Sequence, residues 1–106
     1  MNIISQCLEE IEKLCIVNRV KSLFAFGSVT TDKFNQESDI DLIVDIDEKN
    51  PLRYCDYYFN LKLKLEELLK TRIDLLEEKS LKNEYFLNQI EKTKVLIYGK
   101  RNKEMA

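Results

Sequence analysis

Hydrophobic positions recur along this chain with two different periods, and the switches between them divide it into elements. From Asn2 to Asn18 they fall at Ile3, Ile4, Cys7, Leu8, Ile11, Leu14 and Cys15, which is one face of a helix. Val20 to Phe26 is a short apolar, aromatic-rich run and reads as a strand. Asp39 to Asp47 alternates, with Ile40, Leu42, Val44 and Ile46 on one side and Asp39, Asp41, Ile43, Asp45 and Asp47 on the other. Pro51 suits a first helical residue, and Leu52 to Lys70 continues as a long helix. Arg72 to Leu76 is predicted as a third strand. Ser80 is predicted to cap a helix running to about Lys92. Val95 to Tyr98 is a final strand, ended by Gly99. The order α-β-β-α-β-α-β predicts an α+β domain over residues 1–99, with helices packed on a small mixed sheet. The tail at 100–106, "KRNKEMA", has nothing to bury and is expected to fray.

Composition narrows the chemistry. At 106 residues the chain is one domain, and 44% hydrophobic residues suffice for one core. Charged residues make up 34% with both signs mixed and a net charge of -2, a poor footprint for DNA or general nucleic-acid binding, which calls for a basic face. No apolar run approaches the roughly 18 residues of a membrane span, and the N-terminus lacks a signal pattern, so a cytoplasmic location is expected. Three cysteines, Cys7, Cys15 and Cys55, without a CxxC pair argue against a disulfide framework. The absence of histidine excludes His-containing zinc sites and Ser-His or Cys-His nucleophile pairs. Acid–base work falls to carboxylates, Lys or Tyr.

The stretch "FAFGSVTTDKFNQESDIDLIVDID" concentrates what chemistry there is. Asp39 and Asp41 lie i, i+2 on one strand face, about 6.6 Å apart at ~3.3 Å per residue. Such a pair is either a half-solvated edge or a site for a hard divalent cation, and Mg²⁺ takes one or two carboxylates together with substrate phosphates. Two ions about 3.5–4 Å apart can clamp the attacking and leaving oxygens of a phosphoryl displacement. Gly27 allows a tight turn and a close ligand approach, and Ser28 stands where free N–H groups and a hydroxyl would suit a phosphate. If the first two strands pair antiparallel, Asp39 and Asp41 lie beside Gly27 and Ser28. Asp45 and Asp47 then belong to the far end, as solvated strand-end acids. Asp74, between Ile73 and Leu75, is costly on an apolar strand unless it is paired, metal-bound or facing a cleft.

Gly27-Ser28, ten residues, Asp39-Ile40-Asp41 and then Asp74 resembles the polymerase-beta-like nucleotidyltransferases, and the short length resembles their minimal, MNT-type members. The resemblance implies a palm-like mixed-sheet core. It implies Mg²⁺, as two ions, held by Asp39, Asp41 and Asp74, and ATP or another NTP gripped near Gly27 and Ser28. It further implies transfer of a nucleoside monophosphate to an acceptor hydroxyl, with Asp74 favouring deprotonation of the acceptor. Positioning and charge neutralisation would dominate catalysis. One departure stands out. Many minimal members carry an Arg-Gly pair shortly after the Gly-Ser, where this chain has Thr31 and Asp32 within "VTTDKF", with Lys33 next to them.

The resemblance also implies a partner. Minimal nucleotidyltransferases are commonly paired with a small helical HEPN protein, a ribonuclease-type toxin, which they neutralise by binding and, in studied members, by attaching AMP. That makes an antitoxin-like adenylyltransferase in a hetero-oligomer the first reading. A module that only binds the partner is the second, and a transferase acting on a small antibiotic-type molecule is the third. The long helix bears on this. Tyr54, Tyr57, Tyr58, Leu61, Leu65, Leu68 and Leu69 form one broad face, while Leu52, Phe59 and Leu63 form a second stripe nearly opposite. A surface helix needs one apolar face, so the second stripe is either covered by a terminal helix or a contact surface.

Overall fold

The computed structural model describes residues 2–27 and 39–99. Its elements are α1 (Asn2–Ser5), α2 (Leu8–Val17), β1 (Val20–Phe26), β2 (Ile40–Ile46), α3 (Pro51–Leu69), β3 (Ile73–Glu77), α4 (Glu84–Thr93) and β4 (Val95–Gly99). The strands form one mixed sheet in the order β3-β2-β1-β4. β1 runs antiparallel to both β2 and β4, and β2 runs parallel to β3. A parallel pair needs a crossover, and α3 supplies it. The architecture is the expected α+β one.

The apolar pattern of β2 assigns the faces. Ile40, Leu42, Val44 and Ile46 bury with Leu23 and Ala25 of β1 and Ile73 and Leu75 of β3. Over this face lie Ile4 of α1, Ile11 and Cys15 of α2, and Leu61, Leu65 and Leu69 of α3. The opposite face holds a smaller cluster in which Phe26, Ile43 and Ile90 pack with Leu76 and Leu81. The even and odd residues of β2 therefore serve two cores, and α4 alone among the described helices contributes to the second.

Local chemistry sets the ends of α3. The Asn50 side chain accepts hydrogen bonds from the backbone N–H groups of Leu52 (3.0 Å) and Arg53 (3.2 Å), and Pro51 fills the first turn, where no N–H is needed. Lys70 ends the helix in left-handed backbone at φ 55°. Tertiary bonds then lock α3 in place. Tyr58 Oη donates to the Leu75 carbonyl, Asn60 Nδ2 donates to Asn18 Oδ1 at 2.9 Å, and Glu66 Oε2 accepts from the Ile73 N–H at 3.1 Å.

Two expectations are corrected. The first helix is broken in two at Gln6-Cys7, yet Ile4 and Ile11 both bury against the same core. A periodic pattern cannot report a break that keeps the apolar face aligned. The last helix is capped by Asn83, whose Oδ1 accepts from the Phe86 N–H at 3.0 Å, and Ser80 instead closes a 3₁₀ turn, Glu78–Ser80. Leu81 is extended and packs into the small core, so the helix begins beyond it. The tail beyond Gly99 lies outside the described residues. Among the described residues, no helix is long and apolar enough to cross a membrane.

The second stripe of α3 is uncovered among the described residues: Leu52, Phe59 and Leu63 are 79%, 57% and 59% exposed.

Candidate functional site

The site starts from one register pair. Antiparallel pairing sets Phe26, the last residue of β1, opposite Asp41, so the chain leaves the sheet at Gly27 beside that acid. Gly27 has φ +75°, and a Cβ built there would stand 2.8 Å from Asp41 Oδ2. Only glycine can both take this backbone and leave the carboxylate its place. The Gly27 N–H donates to Thr93 Oγ1 at 3.4 Å, which ties the turn to the end of α4.

On the other side of β2, parallel pairing sets Asp41 opposite Asp74 of β3. Asp39 precedes β2 by one residue and is exposed. The three acids thus converge from two strands. The convergence shows in the Asp41 carboxyl, which is pushed above the usual carboxylate range by its partial burial, then by the charge of Asp74, then by that of Asp39. Asp74 itself is exposed, so the expected burial cost does not arise: β3 is an edge strand and its residue 74 faces solvent. Among the described residues no group of three acids closes to metal-ligating spacing. Ser28 and the departure at Thr31, Asp32 and Lys33 lie outside the described residues.

The donor chemistry fits Mg²⁺. The groups gathered are hard carboxylate oxygens, and the ion is commonly held by one or two of them plus phosphate, which an open set satisfies. Asp74 and Asp39 add their charge to the burial that raises the Asp41 carboxyl, and Gly27 leaves open the space beside Asp41 Oδ2.

Asp45 departs from its reading as a solvated acid. Its side chain is 15% exposed, and Oδ1 is buried without a hydrogen bond, 3.7 Å from Lys79 Nζ. Tyr54 Oη donates to Glu77 Oε2 at 3.1 Å, and the Lys79 ammonium lies 5.9 Å from the Tyr54 ring centre. Burial first, and Glu77 and Asp45 after it, push the Tyr54 hydroxyl up. Asp45 of β2 is thus tied to a lysine, and Glu77 of β3 to a tyrosine, that sequence spacing could not bring to them. Thr93 was equally invisible, since a threonine ending a helix carries no signal of a glycine 66 residues earlier.

A positive-φ glycine thus sits under one carboxylate, with a second acid opposite it on the parallel neighbour, and comparison with known proteins gives the class. The family model for "Polymerase beta, Nucleotidyltransferase" matches residues 9–103. A proposed protein adenylyltransferase of Methanocaldococcus jannaschii, MJ1379, is 38% identical over 80 residues, covering 76% of this chain and 77% of that protein. A second from the same organism, MJ0128, is 35% identical over 82 residues and 76% of each. Among solved structures, one of a minimal nucleotidyltransferase is 28% identical with a TM-score of 0.71, covering 87% of this chain and 90% of that one. A toxin–antitoxin crystal structure with AMP-PNP contains a chain that shares the fold at a TM-score of 0.69 and 21% identity, covering 92% and 77%. In a Shewanella oneidensis complex of a tri-AMPylated HEPN toxin with its MNT antitoxin the likeness is 0.64 at 19% identity, covering 95% and 76%. The chain belongs to the polymerase-beta nucleotidyltransferase family, as one of its minimal members.

Proposed function

We propose that this chain transfers AMP, or another nucleoside monophosphate, from a nucleoside triphosphate to a hydroxyl of a partner protein. The partner is a HEPN-type toxin that the chain neutralises as antitoxin. The observation that carries the reading is the Asp41 carboxylate lying over Gly27 with Asp74 as its register neighbour. The relatives named for protein adenylyltransfer and the likeness to chains of HEPN complexes support the choice of acceptor.

Asp39 and Asp41, with Asp74 beside them, would hold Mg²⁺. The bound metal supplies positive charge against the triphosphate and the departing pyrophosphate. Gly27 keeps the turn free of a side chain, so the phosphates can approach the backbone. Asp74, exposed on the edge strand, is open to an acceptor brought by another molecule and can take the hydroxyl proton. The acceptor oxygen then bonds to the α-phosphorus, the bond to the β-phosphate oxygen breaks, and pyrophosphate leaves. The open stripe of Leu52, Phe59 and Leu63 is the surface we assign to the partner. If Phe59→Lys leaves every complex intact by size exclusion, that assignment falls.

A second reading is favoured by two observations. The described acids do not close into a three-ligand cage, and the stretch "VTTDKF" lacks the Arg-Gly of many minimal members. In that reading the chain neutralises its partner by contact alone. The deciding experiment is an intact-mass spectrum of the partner after incubation with this chain, ATP and Mg²⁺, with Asp39→Ala/Asp41→Ala as control. A gain of AMP units with the natural chain alone supports transfer. No gain, but a stable complex with both versions, supports the binder. A small-molecule acceptor returns only if neither gain nor complex is seen.

A further inference from the structure

Aromatic side chains gather beside the acids without being used in the site described above. Phe26 ends β1 opposite Asp41, and its ring packs with Ile43, two residues along from Asp41 on the same face of β2. The Phe86 ring of α4 meets the Phe26 ring edge-on, with centroids 6.1 Å apart at 83°. At the other end of α4, Thr93 takes the Gly27 N–H. Phe86 and Thr93 are seven residues apart, about two turns, so both contacts lie on one flank of the helix. That flank therefore faces the end of β1 where Gly27 and Asp41 meet. Phe86 nevertheless stays 38% exposed, and Tyr85 beside it is 74% exposed. Phe26, which Phe86 meets, is by contrast buried, at 8%.

We propose that Phe86 forms the platform on which the nucleobase of the triphosphate substrate stacks. The inference rests on reading the chain as a user of nucleoside triphosphates. A triphosphate drawn to the acids carries its base one ribose further out, so a platform has to stand beside the carboxylates rather than among them. The aromatic flank of α4 does so and is continuous with the site through Phe26 and Gly27. Stacking uses the π-face that every base has, so the platform supplies affinity without choosing strongly between bases.

The test compares ATP with inorganic tripolyphosphate, each with Mg²⁺, by calorimetry on the full chain and on Phe86→Leu. The leucine keeps apolar volume against Phe26 and removes the π-face. The expected result is a loss of roughly tenfold in ATP affinity, the lower part of the range for one stacked base, with tripolyphosphate affinity unchanged. Unchanged affinity for both ligands overturns the platform and leaves the transferase reading standing. An equal loss for both ligands means that Phe86 only supports the fold, which also overturns the platform. Failure of the natural chain to bind either ligand overturns both readings.

Discussion

Replacing Asp41 by Asn should make the free protein more stable while abolishing transfer. Asp41 and Asp74 are register partners on adjacent parallel strands, which places their Cα atoms about 4.8 Å apart. Two like charges about 5 Å apart repel by about 0.8 kcal/mol at the dielectric of water and about 3 kcal/mol at an effective value of about 20. Asp74 is exposed, so screening sets the relevant figure near the lower bound, about 1 kcal/mol. For a domain of this size that corresponds to a rise of about 4 °C in Tm. The sign follows from linkage. The Asp41 carboxyl is raised in the folded state, by burial and then by Asp74 and Asp39, so the folded state holds the proton more tightly than the unfolded chain. Ionised Asp41 thus costs stability above its folded pKa, and the cost disappears as pH falls through that value. The assay is thermal unfolding by circular dichroism with a chelator present, at neutral pH and again well below the ordinary carboxylate range. Asp41→Asn should melt higher at neutral pH, and the gap should close in acid. Adding Mg²⁺ should raise the melting point of the natural chain and not that of the variant. The reasoning is refuted by a variant that melts at or below the natural chain at neutral pH, or by a gap that persists unchanged in acid.

Gly27→Ala should lose transfer more than stability. Left-handed backbone costs a non-glycine residue about 1–2 kcal/mol, but the added Cβ also displaces Asp41 Oδ2 from 2.8 Å, so the mass-spectrometric assay should fall further than the melt suggests. Asn50→Ala removes the double N-cap of α3 and should cost about 1 kcal/mol in denaturant unfolding, with transfer intact because the cap lies away from the acids. In thiol labelling of the native protein, exposed Cys55 should react first. Buried Cys15, its thiol pushed up to about 12 by burial and then by Glu12, should stay silent until the chain unfolds; its prompt labelling in mildly alkaline buffer would count against the packed core.

Much of this protein is local information. The period-two run Ile40–Ile46 and the helical runs before and after it placed nearly every element, because hydrophobic spacing and the Asn50-Pro51 start act within a few residues. The need for a glycine at Gly27 was equally legible as residue type at a strand end. What depends on register was decided only in three dimensions. Parallel pairing brings Asp74 beside Asp41 across 33 residues of chain, and it leaves Asp74 on an exposed edge rather than in the costly interior its apolar neighbours suggested. Lys79 and Tyr54 reach the acids at the far end of the sheet through contacts with no spacing rule. The helix start moved from Ser80 to Asn83 because Leu81 was needed in the small core, and two capping residues three apart look alike until packing chooses one. Sequence determined which residues could carry the chemistry, since side-chain type and short-range geometry belong to the chain itself. Tertiary structure decided which of them meet, because that depends on strand order and on which face each helix covers.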